Sequence, residues 1–196
     1  MFQNISPAIL KRMAYLEQID RNDRSDGTAL LKRLRQIPPE TGKFLAILAA
    51  SSPNGRFLEI GTSAGYSALW ISLACAIKNC KLTTYEILDD KFKFARETFR
   101  EANVTQYIES IHADALQDLA HIDKIGFCFL DAEKDVYDKC YDAIVPNLVT
   151  GGILVADNAI NHYETLKTMI GKAFSDNRVD ALVVPIGKGE LVCRRI

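Results

Sequence analysis

The stretch Phe57 to Ser67, FLEIGTSAGYS, restricts the fold more than any other part of the chain. An apolar run of β-forming residues stops at Glu59-Ile60-Gly61, and a helical pattern opens at Tyr66 and continues through Leu69, Trp70, Leu73 and Ala74. A strand that passes through a glycine-containing turn into a helix places backbone N–H groups where a ligand can come close. The same pattern also makes an ordinary tight turn, so the stretch alone leaves both readings open. It does dictate a strand–helix unit, and the chain repeats that unit. Spacing predicts strands over 56–60, 82–87, 107–112, 126–130 and 153–156, with helices over 67–77, 90–102 and 137–148. Such alternation implies right-handed crossovers and a parallel sheet. The end departs from it. Strands over 181–186 and 190–195 are separated only by Gly187-Lys188-Gly189, which is hairpin spacing, so the last strand must run antiparallel to its neighbour.

Ahead of this region, Ser6-Pro7 predicts the start of an amphipathic helix bearing Ile9, Leu10, Met13, Leu16 and Ile19. Polar residues 20–27 predict a loop, 28–34 a short helix, and Pro38-Pro39 a break before a helix over 40–50. At 196 residues, 48% of them hydrophobic, the chain is sized for a single α/β domain over 1–196, with 1–35 as an amino-terminal helical extension. Twenty-four basic residues against 25 acidic ones give no electrostatic footprint for nucleic acid or an anionic membrane, and neither is expected as a partner. The longest apolar run, 44–50, is too short to span a bilayer. No leader pattern is visible. Five cysteines, odd in number and without C-x-x-C spacing, read as reduced thiols in a cytoplasmic protein.

The chemistry-bearing residues fall at strand ends. Glu59 puts a negative charge beside the turn, where a phosphate would be repelled, and Gly61 and Gly65 lack the middle glycine of the dinucleotide fingerprint. A cationic ligand suits such a turn, and S-adenosylmethionine, with its ammonium and sulfonium, is one. Glu86 ends the second strand, where an acid either accepts both hydroxyls of a ribose or faces solvent. Asp114 either borders an adenine or caps the helix that follows. Asp131 and Asp157 end the fourth and fifth strands. If those strands are neighbours, the two acids lie roughly 5 Å apart and repel unless a cation sits between them. Asn158 adds an amide oxygen. An all-oxygen set suits Mg²⁺, Mn²⁺ or Ca²⁺ and not zinc. The competing reading is a pair of helix caps. Lys134, one helical turn beyond Asp131, is either a partly desolvated base or a solvated lysine. His112, His121 and His162 show no ligand spacing.

In combination these segments resemble the cation-dependent S-adenosylmethionine O-methyltransferases, the group of catechol and caffeoyl-CoA O-methyltransferases and their bacterial relatives. The resemblance runs from about Ile37 to the end and rests on LEIGTSAGYS, the strand ending at Glu86, HADAL, FLDAEKDVYDKCY, GGILVADN and PIGKGELVCRR. It implies a class I methyltransferase fold: a Rossmann-like, seven-stranded mixed sheet with the last strand antiparallel and helices on both faces. It implies cofactor contacts from Ile37, Glu59, Gly61, Thr62, Ser63, Tyr66 and Ser67, from Glu86 and Ile87, from Ala113 and Asp114, and from Asp131. Asp131, Asp157 and Asn158 become metal ligands, with Mg²⁺ the foremost ion and Mn²⁺ or Ca²⁺ as substitutes. Lys134 and Asp131 become the catalytic pair, acting on a small phenolic acceptor, and copies are expected to pair as homodimers through their amino-terminal helices.

Two departures from the family pattern stand out. Glu133 occupies a place where relatives usually carry a second Asp. The loop after Asn158 is short, which leaves the acceptor pocket either more open or covered by the amino-terminal segment. Two rival readings accompany this one. A nicotinamide-dependent oxidoreductase is disfavoured by Glu59, the glycine spacing and the terminal hairpin. A cofactor-binding protein of the same fold without catalysis would use the same residues.

Overall fold

The computed structural model describes all 196 residues, Met1–Ile196. Helices α1 (Pro7–Asp23) and α2 (Pro39–Ser51) precede the regular part of the chain. There follow β1 (Arg56–Ile60), α3 (Tyr66–Lys78), β2 (Leu82–Glu86), α4 (Asp89–Glu101), β3 (Ile108–His112) and α5 (Ala115–Leu119). The chain continues through β4 (Ile125–Leu130), α6 (Tyr137–Ile144), β5 (Leu148–Ala156), α7 (Tyr163–Ser175), β6 (Val179–Val184) and β7 (Glu190–Arg195). The strands form one seven-stranded sheet in the order β3-β2-β1-β4-β5-β7-β6. The first five are parallel, and β7 inserts antiparallel to both β5 and β6. The order reverses between β1 and β4, the switch point at which open α/β sheets hold ligands beyond the carboxyl ends of their strands.

Strand side chains alternate between two cores. Phe57, Phe127, Phe129 and Val155 face one side with Leu45, Leu69 and Ile71. Leu58, Ile60, Cys128, Leu130 and Leu154 face the other with Tyr137, Tyr141, Ile144 and Ile170. Because both faces are covered, the central strands read as continuous apolar runs. The acids at their ends are therefore conspicuous.

The structure departs from the sequence reading at several boundaries. Helix α1 runs on to Asp23, because Asp20 and Asp23 are buried and accept hydrogen bonds from the backbone N–H groups of Gln36 (3.3 Å) and Leu34 (2.9 Å). Of the helix expected over 28–34, only a single 3-10 turn, Leu30–Lys32, forms. Helix α6 stops at Ile144, one residue before a 3-10 turn containing Pro146, which has no N–H to continue the ladder. Strand β5 begins at Leu148, ahead of Gly151-Gly152. Strand β6 spans Val179–Val184, starting and ending earlier than expected. All five cysteines are free. No helix is long and apolar enough to cross a membrane.

Candidate functional site

The turn after β1 is fixed from below. Gly61 and Thr62 donate their N–H groups to the Tyr85 carbonyl at 3.0 and 3.1 Å, which anchors the turn to the end of β2. Gly61 has φ +99°, and a Cβ there would collide with the Asp131 carbonyl oxygen. Only glycine lets the turn rest against the end of β4. Ser63 follows with φ 48° and donates its N–H to Glu86 Oε2 at 2.8 Å, while Leu88 N–H reaches Glu86 Oε1 at 2.9 Å. Glu86 thus ties the turn to the start of α4 and keeps free lone pairs on both oxygens.

Glu59 differs from its sequence reading. It is 0% exposed and lies beneath the turn, outside the cavity lining, accepting from the Thr84 hydroxyl at 2.5 Å. Burial pushes its carboxyl up to about 7, so near neutrality it is not a fixed negative charge. Its position two residues before the glycine turns it inward, because strand residues alternate faces and this one falls on the Phe57 side.

A cavity of about 460 Å³ opens over the turn. Ile37, Gly61, Thr62, Ser63, Tyr66 and Ser67 line its floor, and Glu86, Ile87, Ala113 and Asp114 line one end. Asp131, Lys134 and Asn158 line the other. Asp114 also caps α5 by accepting from Leu116 N–H at 3.0 Å, so the cap and the lining position coexist.

Lys134 is not solvated: its side chain is 17% exposed and donates to Asp131 Oδ1 (3.1 Å), the Ala132 carbonyl (2.8 Å) and the Tyr137 hydroxyl (2.9 Å). Tyr137 in turn donates to the Leu130 carbonyl at 3.2 Å. Asp131 and Asp157 do end neighbouring strands, since Leu130 pairs with Ala156. Asp157 is buried behind the cavity wall. Its Oδ1 accepts Asn158 N–H at 2.6 Å, its Oδ2 meets no N–H or hydroxyl, and the Glu190 carboxyl lies within hydrogen-bonding reach. Burial first, and the Asp131 charge second, push the Asp157 carboxyl above its usual range. Asn158 sits at φ 73° and donates its amide to Asn161 Oδ1 at 3.0 Å. No three Asp, Glu, His or Cys side chains are already drawn together as a metal cage.

Several site residues escape the sequence reading. Tyr137 sits three positions after Lys134, a spacing that could have flagged it. Glu190, an acid opening an otherwise apolar strand, is 0% exposed and lies against Asp157. Burial first and Asp157 second push its carboxyl up as well. Arg35 and Lys188 have no local signal. Arg35 pairs with Glu133, and Lys188 Nζ donates to the Arg35 carbonyl at 3.4 Å. Ser63 Oγ donates to the Leu34 carbonyl at 2.9 Å. The amino-terminal segment therefore covers the cavity. The short loop after Asn158 lies down on the terminal hairpin, with Ala159 N–H on the Gly189 carbonyl at 2.8 Å.

A model of the O-methyltransferase family matches residues 11–196. A catechol O-methyltransferase of Niastella koreensis is 28% identical over 152 residues, which cover 75% of this chain and 65% of that protein. A caffeoyl-CoA O-methyltransferase of Medicago sativa is 25% identical over 182 residues, covering 80% of this chain and 73% of its own length. The solved structure of the SAH-bound methyltransferase PaMTH1 of Podospora anserina superposes with a TM-score of 0.81 at 21% identity, covering 98% of this chain and 89% of that one.

Proposed function

Because the chain belongs to the O-methyltransferase family and has the class I methyltransferase fold, we propose that it methylates one hydroxyl of a small aromatic acceptor with vicinal hydroxyls. S-adenosylmethionine is the donor in this reading, and a divalent cation, Mg²⁺ foremost, assists. One observation carries it: a single cavity joins the turn at Gly61–Ser63 and Glu86 to Asp131, Lys134 and Asn158, so donor and acceptor would share one enclosed space. The names of the relatives support the catechol-like acceptor.

The residues fit a cation. Asp157 Oδ2 is a buried carboxylate oxygen that meets no N–H or hydroxyl, and the only polar group against Asp157 beyond its own loop is a second acid, Glu190, an arrangement that a cation would relieve. Asp131, Asp157 and Asn158 would hold the ion through oxygen alone, as Mg²⁺, Mn²⁺ and Ca²⁺ require. When bound, such an ion supplies Lewis acidity that lowers the pKa of an acceptor hydroxyl. Glu86 offers its free lone pairs to the ribose hydroxyls, while Asp114 and Ala113 border the adenine. Lys134 is the base in this reading. Three hydrogen bonds, to Asp131, the Ala132 carbonyl and the Tyr137 hydroxyl, hold its ammonium at the cavity wall.

A methyl-transfer screen over diverse phenols with added Mg²⁺, read as S-adenosylhomocysteine release, tests the reading. Turnover of a catechol that stops with chelator and returns with Mg²⁺ or Mn²⁺ supports it; full turnover in excess chelator rejects the cation. Leu10 and Tyr15, exposed on α1, support pairing of copies through the amino-terminal helices, and sedimentation should then show twice the 21.9 kDa chain mass. The free cysteines suit a reducing cytoplasm.

A further inference from the structure

Glu190 opens β7 and is 0% exposed; neither of its carboxyl oxygens meets an N–H or a hydroxyl, and its only polar partner is the neighbouring Asp157 carboxyl. Its place follows from strand register. Strands β4 and β5 pair Leu130 with Ala156, so the next level outward brings Asp131 beside Asp157. Strands β5 and β7 pair Ala156 with Leu191, so the same level brings Asp157 beside Glu190. All three acids point to one face. Asp131 stands two residues beyond Phe129, Asp157 two beyond Val155, and Glu190 two before Val192, and those three apolar residues share one core. With strands about 4.8 Å apart, the acids form a row roughly 10 Å long with Asp157 at its centre.

Charge along the row is unbalanced. Asp131 has Lys134 at 3.1 Å. Asp157 and Glu190 have no basic group within ion-pair distance, and the nearby Lys188 spends its ammonium on the Arg35 carbonyl at 3.4 Å. Burying two carboxyls against each other without a counter-charge is costly, and an apolar side chain at 190 would fill the space without adding a second acid. Two buried acids without a basic partner, set behind a third that lines the ligand cavity, make the surrounding a divalent ion needs.

We propose that Glu190 is a third carboxylate ligand of the divalent cation held by Asp131, Asp157 and Asn158. The inference rests on the cation reading above and extends it to a residue on the terminal hairpin. The extra methylene of glutamate carries its carboxylate inward from the outer strand of the row. Three carboxylates and an amide oxygen nearly fill a Mn²⁺ or Ca²⁺ shell, whereas Mg²⁺ prefers to keep several waters. Mn²⁺ should therefore bind more tightly than Mg²⁺.

Calorimetric titration of the whole protein with MnCl₂, without donor or acceptor, tests this on wild type, Glu190→Gln and Glu190→Leu. The expected result is about 10- to 100-fold weaker Mn²⁺ binding in both variants, together with a smaller Mn²⁺-induced rise in melting temperature. S-adenosylhomocysteine affinity, set at the Glu86 end, should not change. Melting in chelator should be at least as high as wild type in Glu190→Gln, whose amide can still donate to the Asp157 carboxylate. If Glu190 only shares a proton with Asp157, removing it frees Asp157, and Mn²⁺ binds equally well or better; that sign overturns the proposal. Wild type that binds S-adenosylhomocysteine but no Mn²⁺ overturns the cation reading and this inference together. Wild type that binds Mn²⁺ alongside unaffected variants overturns the role of Glu190 alone.

Discussion

Lys134 commits all three of its protons to acceptors, and its side chain is only 17% exposed. A solvated lysine at a helix start would change little on removal. A base would not. Lys134→Met should lower kcat about 10²- to 10⁴-fold, and the loss should shrink as pH rises, because prior ionisation of the acceptor replaces the base. A change below about threefold at every pH would reject the role. Glu86 predicts a binding effect instead. Glu86→Ala should weaken S-adenosylhomocysteine by about 1–3 kcal/mol in calorimetry, through loss of the ribose contacts proposed for it and through the Ser63 and Leu88 N–H groups it strands. These residues are legible in the sequence because strand-end acids and a lysine one turn on stand out from apolar neighbours. Glu190, Tyr137 and Arg35 are not, since their meaning lies in pairings across strands and between distant segments that no spacing in the chain displays.

Elements are legible wherever period and punctuation agree. The alternation from β1 onward and the Gly187–Gly189 hairpin lead directly to the mixed sheet, although only strand pairing shows β7 inserted between β5 and β6. The amino-terminal segment misleads for one reason: two of its polar residues face inward. Asp20 and Asp23 look like loop residues in sequence and serve as acceptors for the returning strap in the fold. That strap covers the cavity through Leu34, Arg35 and Lys188. Asp23→Ala strands the buried Leu34 N–H and releases the cover, so it should cost about 1–3 kcal/mol of stability and raise KM for donor and acceptor together. Denaturant unfolding beside steady-state kinetics checks this, and an unchanged KM would show that the strap has no part in binding.

On the scale of the whole molecule, the carboxyl edge of the sheet concentrates buried acid, and this sets how stability responds to pH. Glu59 is the acid whose effect can be isolated, since it lies beneath the turn and outside the cavity lining. Its carboxyl rises from an ordinary 4.5 to about 7 in the fold, chiefly by burial. The folded state therefore holds a proton that the unfolded chain gives up. Below pH 4.5 both states are protonated and nothing is lost; between 4.5 and about 7 stability falls as pH rises; above that the loss is complete. A tenfold change in proton affinity is worth about 1.4 kcal/mol, so the whole effect is about 3 kcal/mol. Glu59→Gln keeps an oxygen for the Thr84 hydroxyl and cannot ionise. Relative to wild type it should gain stability steadily from pH 4.5 to 7 and hold a constant advantage beyond. Denaturant unfolding of both proteins at matched pH values measures the difference. A difference that does not change with pH would mean that Glu59 stays ionised in the fold, with the Thr84 hydroxyl and neighbouring dipoles compensating its burial.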